Sequence, residues 1–270
     1  ALPSIAWRAN LQHAFGAGVL IGYQSFNAKG LGLFGCLTDE GSQDSACATP
    51  GGVPAREPDG LTNHGNGYQI GAGLRASWMW TAHPRLTFTL TGSTRIKSTR
   101  IKTYDALLPD GGSFDLPPML HTALAARATA RLTVLFDYQK VYYESVQAFG
   151  NRGPRLDRPP LRSELLGNDN GFGFGWKDQN IYRLGLHHAA SPRWTWRAGV
   201  NYSPSHIAAS QMTFALLSPA FIERSVHIGV TRRLAGGDEI SAAAFRGFRE
   251  KLKGATPLGP GKAVHDEYGI

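Results

Sequence analysis

The chain has 270 residues, 42% of them apolar and 18% charged, with a net charge of +8 at pH 7. No run approaches the roughly eighteen apolar residues that a transmembrane helix needs, and no secretory leader is visible, because Ala1 leads almost at once into a strand pattern. The basic residues are spread over turns, loops and one strand face with no basic helix, so nucleic acid is not an expected partner.

In chain order the pattern is one of paired strands. Windows 3–9 and 13–26 meet at a turn near Asn10–Gln12, and 67–80 and 85–96 meet near Thr81–Pro84. Windows 118–127 and 131–144 are joined near Ala128–Ala130, 178–190 and 193–203 near Ser191–Pro192, and 222–233 and 238–250 near Ala235–Gly237; a last strand opens at 265. Within them apolar and polar residues alternate: Trp194, Trp196, Ala198, Val200 and Tyr202 share one face, Thr195, Arg197, Gly199, Asn201 and Ser203 the other. A period of two is what a strand imposes, and no helical period fits. Between the pairs lie long polar connections at about 27–66, 97–117, 145–177, 204–221 and 251–264, with all 16 prolines in turns, loops or strand openings.

Short turns on one side and long loops on the other predict an all-β fold, an antiparallel transmembrane β-barrel with short periplasmic turns and long extracellular loops. Such a barrel keeps an ordinary mean hydropathy because lipid-facing and lumen-facing residues alternate. The pattern gives about eleven strands, whereas bacterial barrels have an even number. The chain is therefore expected to be one partial barrel domain over 1–270, truncated at both ends. Cys36 and Cys47 share one polar loop, and their spacing favours a local disulfide over free thiols or a metal site.

Pro3 to Arg8 followed by Tyr23 to Leu31, then Phe114 to Pro118 with Phe136 to Gln139, taken in that order, resemble stretches of the FadL/TodX family of outer-membrane transporters for long-chain fatty acids and other hydrophobic compounds. The most specific is Gly175-Trp176-Lys177-Asp178 leading into Tyr182 to Gly185, then Trp196 to Gly199 and Leu217 to Ala220. The resemblance implies a barrel of about fourteen strands closed by an N-terminal plug, of which this chain would match the later eleven or so. It also implies passive, ligand-binding diffusion of long-chain fatty acids or other hydrophobic small molecules, in a monomer surrounded by outer-membrane lipid. An adhesin or phage receptor working through the long loops is the alternative.

No nucleophilic elbow and no phosphate-binding glycine loop is present, so neither an enzyme nor a cofactor is expected. His187 and His188 are adjacent and face opposite sides of a strand, so they cannot share a metal. A fatty-acid ligand would need an apolar path with one or two cations for its carboxylate. Arg75, Arg183 and Arg197 lie on or near polar strand faces, where they either line such a path or join a polar lumen network with Asp137 or Asp178. Lys29 and Lys177 stand at strand–loop junctions on the outer side, placed either to meet a carboxylate or to be solvated. Phe172, Phe174 and Trp176, interleaved with glycines, form either an apolar lip for a hydrophobic substrate or an interfacial aromatic girdle, with the girdle favoured.

Overall fold

The computed structural model describes residues 1–49, 52–155, 157–218, 222–256 and 259–269. No helix among them is long and apolar enough to cross a membrane. The strands are β1 (Ser4–Arg8), β2 (His13–Phe26), β3 (Gly67–His83), β4 (Leu86–Ser93), β5 (Lys97–Ser98) and β6 (Met119–Arg127). They continue as β7 (Leu132–Val141), β8 (Gln179–Ala189), β9 (Trp194–Tyr202), β10 (Arg224–Arg233), β11 (Glu239–Thr256) and β12 (Gly259–Gly269). All twelve belong to one antiparallel sheet in chain order, with the two-residue β5 pairing back on β3. β1 and β12 are its edges.

One expectation changes. The stretch 251–264 is not a loop: β11 runs on to Thr256 and pairs with β12 from Gly259 onward. Its glycines and Pro260 suggested a connection, yet β12 is an edge strand, where proline costs no ladder hydrogen bond. β11 carries a bulge between Gly247 and Glu250, which adds one residue against β12. Pro219 and Ala220, at the end of the last stretch of resemblance, lie outside the described residues.

Register assigns the two faces of the wall. One row of directly paired residues runs Trp7, Phe15, Trp78, Leu90, Thr122, Tyr138, Tyr182 and Tyr202. It starts at the short-turn end and finishes at the long-loop end, as strand tilt in a barrel requires. This face is apolar and open to the surroundings, with Leu184, Val200 and Ile228 48%, 50% and 65% exposed. Tryptophans mark its short-turn end, where Trp78 stacks on Trp80 and Trp194 on Trp196. Tyrosines mark its outer end, where Tyr138, Tyr182 and Tyr202 lie side by side. Trp194 and Tyr202 are about 27 Å apart along β9 at roughly 3.4 Å per residue, which matches an apolar band between two aromatic girdles.

Most of the buried apolar residues lie elsewhere. Leu61, Ile101, Tyr104, Val146, Leu166, Phe172, Trp176, Ile207, Met212 and Phe214 are all in the long connections, and all are buried. The connections therefore fold into a cap of their own. Leu166 donates its amide to the Leu37 carbonyl at 2.7 Å, tying the β7–β8 connection to the β2–β3 connection across the sheet. Phe34 and Phe174 both pack edge-on against Phe214, which brings in the β9–β10 connection.

Candidate functional site

The cap is positioned by three local devices. At the end of β2, Ala28 donates its amide to the Tyr104 hydroxyl at 3.1 Å, and that hydroxyl donates to the Gly65 carbonyl at 2.5 Å. Asn63 donates to the Ala28 carbonyl at 2.9 Å, so the chain on either side of Lys29 is fixed while the Lys29 side chain stays exposed. In the alternating Gly/aromatic stretch, Phe172, Phe174 and Trp176 donate their amides to the carbonyls of Glu164, Ala148 and Phe149 at 2.9, 3.1 and 2.8 Å. Glycine is required there: a Cβ at Gly173 would stand 2.8 Å from the Ala148 carbonyl oxygen, and Gly175 has φ 64°, which L-residues rarely adopt.

These devices enclose an apolar cavity of about 320 Å³ among the loops. Phe26, Leu31, Leu108, Phe114, Phe172 and Phe174 line it, and Lys29 is the one charged residue on its wall among the described residues. The structure thus brings together three of the residues singled out from sequence, Lys29, Phe172 and Phe174. It also replaces the girdle reading of Phe172, Phe174 and Trp176. Phe172 and Trp176 are 5% and 7% exposed and face other loop aromatics, while the girdles are built by the wall's own tryptophans and tyrosines.

Trp176 points away from this cavity into a second aromatic cluster with Tyr143, Phe149 and His206. His206 is 3% exposed, stacked on Tyr143 at 5.3 Å, and neither of its ring nitrogens has a hydrogen-bond partner among the described residues. Burial alone pushes its pKa down to about 4 and raises that of Tyr143. Lys177 lies apart from the cap cavity, on a more polar one of about 580 Å³ that it lines with Trp176, Arg152, Arg155 and Asp157. There the Arg155 hydrogen bond holds Asp157 down at about 2.

The lumen face of the wall carries the arginines. Arg183 donates to Asp137 at 2.5 Å and to the Gln139 side-chain carbonyl at 3.0 Å, and the other Asp137 oxygen meets His121. Arg183 is therefore the centre of a polar network with Asp137. Asp178 instead pairs with Lys140 at 3.3 Å. Arg197 donates to the Thr231 hydroxyl at 2.7 Å. Arg75 is exposed and has no such partner among the described residues. A lumen chamber of about 670 Å³ lies against Asp137, Arg183 and His227, with Ala123, Leu135 and Gly199 among its apolar parts. Cys36 and Cys47 are joined by a disulfide, Cα atoms 5.4 Å apart, within the β2–β3 part of the cap.

Leu31, Leu108, Phe114 and Phe214 were not singled out as site residues, because they lie in segments with no periodicity. Phe26 had a signal: it ends β2 on the lumen-facing side, aimed at the cap.

The profile of the family described as outer membrane protein transport protein (OMPP1/FadL/TodX) matches residues 1–216. No curated protein matches the chain by sequence. Among solved structures, the chain is similar to the Pseudomonas putida toluene transporter TodX, with TM-score 0.60 and 18% identity over 97% of this chain and 65% of that one. It is similar to a Pseudomonas aeruginosa FadL homologue, with TM-score 0.57 and 16% identity over 98% of this chain and 63% of that one. It is also similar to the Ralstonia pickettii toluene transporter TbuX, with TM-score 0.54 and 17% identity over 92% of this chain and 61% of that one. The chain spans less than two thirds of the length of each, and at such identities the likeness is one of fold. With the profile matching residues 1–216 and the barrel wall shared, the chain belongs to the OMPP1/FadL/TodX family of outer-membrane transport proteins, β-barrels of the Gram-negative outer membrane and not enzymes.

Proposed function

We propose that the chain passes hydrophobic small molecules inward by passive diffusion, as a monomer surrounded by outer-membrane lipid, and that the cap cavity is where such a molecule first binds. The observation that carries this reading is the apolar cavity of about 320 Å³ with Lys29 on its wall. Aromatic edges and leucines accept any apolar body, and a single exposed ammonium favours one that ends in a carboxylate, such as a long-chain fatty acid. Lumen arginines offer the same chemistry further in. Arg183 is already committed to Asp137, so Arg75 and Arg197 are the better placed to meet an anion passing through.

The test is a binding titration on the protein in detergent, with a long-chain fatty acid and with toluene, before and after Lys29→Ala. Because Lys29 is exposed, loss of its charge should weaken the fatty acid by about fivefold, the scale of ~1 kcal/mol for an exposed ion pair. Toluene should bind as before. If the fatty acid is unaffected, Lys29 is a solvated loop residue; if Phe172→Ala and Phe174→Ala also leave both ligands bound, the cavity is not the site.

A further inference from the structure

The wall carries a second feature outside the path through the lumen. On its lipid-facing side, at the outer end of β8, β9 and β10, a groove of about 350 Å³ is lined by Phe136, Tyr182, Val200, Tyr202, Val226 and Phe248, with Arg224 at its edge. Phe248 reaches it by alternation from Arg246, and the β11 bulge that follows shifts the alternation so that Lys251 rather than Glu250 continues that face.

Immediately beyond the groove, the β11–β12 hairpin turns its cations the same way. Leu252 and Ala263 pack against the cap cluster around Met212, and a Cβ at Gly254 or Gly261 would run into Met212. Alternation then puts Lys251, Lys253 and Lys262 on the opposite, outward face, where all three are exposed. β12 has no bulge of its own, so Lys262, Val264 and Tyr268 share one face, and Tyr268 pairs with Arg246 on the lipid-facing side. Lys253 and Lys262 are direct cross-strand partners. Like charges so placed repel unless an anion lies between them. Arg246 and Arg249 share Asp266, and Arg224 is matched by Glu250. The three lysines have no acidic partner among the described residues. Lys251 stands about 10 Å along the strand beyond Phe248, at roughly 3.4 Å per residue, just past the tyrosine girdle.

An apolar groove at the height of the acyl chains, continued outward by unpaired cations at the height of the headgroups, has one natural occupant. We propose that this face holds a phosphorylated glycolipid of the outer leaflet, with an acyl chain along Tyr182, Tyr202 and Phe248 and its phosphates on Lys251, Lys253 and Lys262. Lysine suits this role as a compact cation toward phosphate. The site is distinct from the cap cavity, because its residues face outward from the wall.

The test uses the protein in detergent, with bis-phosphorylated lipid A and its dephosphorylated form as probes and retained lipid read by mass spectrometry. The unaltered protein should retain the phosphorylated form, and retention should fall with added salt. Each lysine near a charged lipid surface is worth on the order of fivefold. The triple variant Lys251→Gln, Lys253→Gln, Lys262→Gln should therefore lose on the order of a hundredfold in affinity, and the corresponding triple arginine variant should keep most of it. Binding of a fatty acid to the cap cavity serves as the folding control and should not change. Equal retention of the two lipid A forms, or a glutamine variant that folds and still retains the phosphorylated form, would overturn the proposal.

Discussion

The wall and the cap are built from the same chain on opposite rules. In the wall, apolar side chains point outward and stay exposed, because lipid is their solvent and backbone hydrogen bonds between neighbouring strands hold the structure. In the cap, apolar side chains from connections far apart in sequence turn toward one another and exclude water, as in a soluble domain. Two leucines show the contrast within the wall alone. Leu135 is 41% exposed and Leu184 48%, yet by register one points to the lumen face of the sheet and the other to the membrane face. Exposure alone does not define the environment; register does.

The cap's dependence on packing gives the largest expected effect. Trp176→Ala removes a buried indole that touches Tyr143, Phe149, Phe174 and His206. Such a deletion typically costs about 3–5 kcal/mol. Here the loss should fall on the cap: its loops should become protease-sensitive while the wall still migrates on gels as a folded, heat-modifiable barrel. Simultaneous collapse of both would show that cap and wall fold as one unit, and the contrast drawn above would fail.

The next effect separates the two leucines. Leu184→Arg places a charge in the apolar band and should cost about 2–4 kcal/mol, as arginine does near the bilayer midplane. Leu135→Arg should cost well under half of that, because the added guanidinium enters a lumen already shared with Asp137 and Arg183. The comparison is read from denaturant unfolding of both variants in the same lipid. Equal losses would mean that Leu135 also contacts lipid, and the assignment of faces by register would be wrong.

How much of this was legible beforehand follows the same division. Wall strands announce themselves because each has one neighbour type per face, so Trp194 to Tyr202 reads as a strand with no knowledge of its partners. Asp137 was identifiable as a partner for Arg183, but His121 and Gln139 were not, since cross-strand register is set by turns and bulges that composition does not reveal. In the cap, Leu61, Ile101, Leu166 and Met212 meet through contacts distant in sequence and without any period, and nothing local marks them. The hairpin of β11 and β12 was hidden by its glycines and Pro260, although Lys251-Leu252-Lys253 already alternated.

The smallest effect is a pH dependence confined to the cap. His206 titrates near 6.5 when exposed and at about 4 in the folded cap, because burial disfavours its charged form and its ring nitrogens have no hydrogen-bond partner among the described residues. Between those values an opened cap binds a proton that the closed cap does not, so stability rises with pH. The closed cap is therefore most stable above about 6.5, loses on the order of 2 kcal/mol by pH 5, and loses no more from this group below about 4. Glu164 adds a loss of its own only at lower pH, since the Arg158 hydrogen bond holds it at about 2 and it is ordinarily near 4.5. Tyr143, raised by burial, acts only in the alkaline range. Cap opening followed by tryptophan fluorescence between pH 7 and 5 should show this slope, and His206→Phe, which keeps a ring between Tyr143 and Trp176, should abolish it. An unchanged slope in that variant would assign the proton to another group. A slope that appears equally in heat-modifiability would place it in the wall.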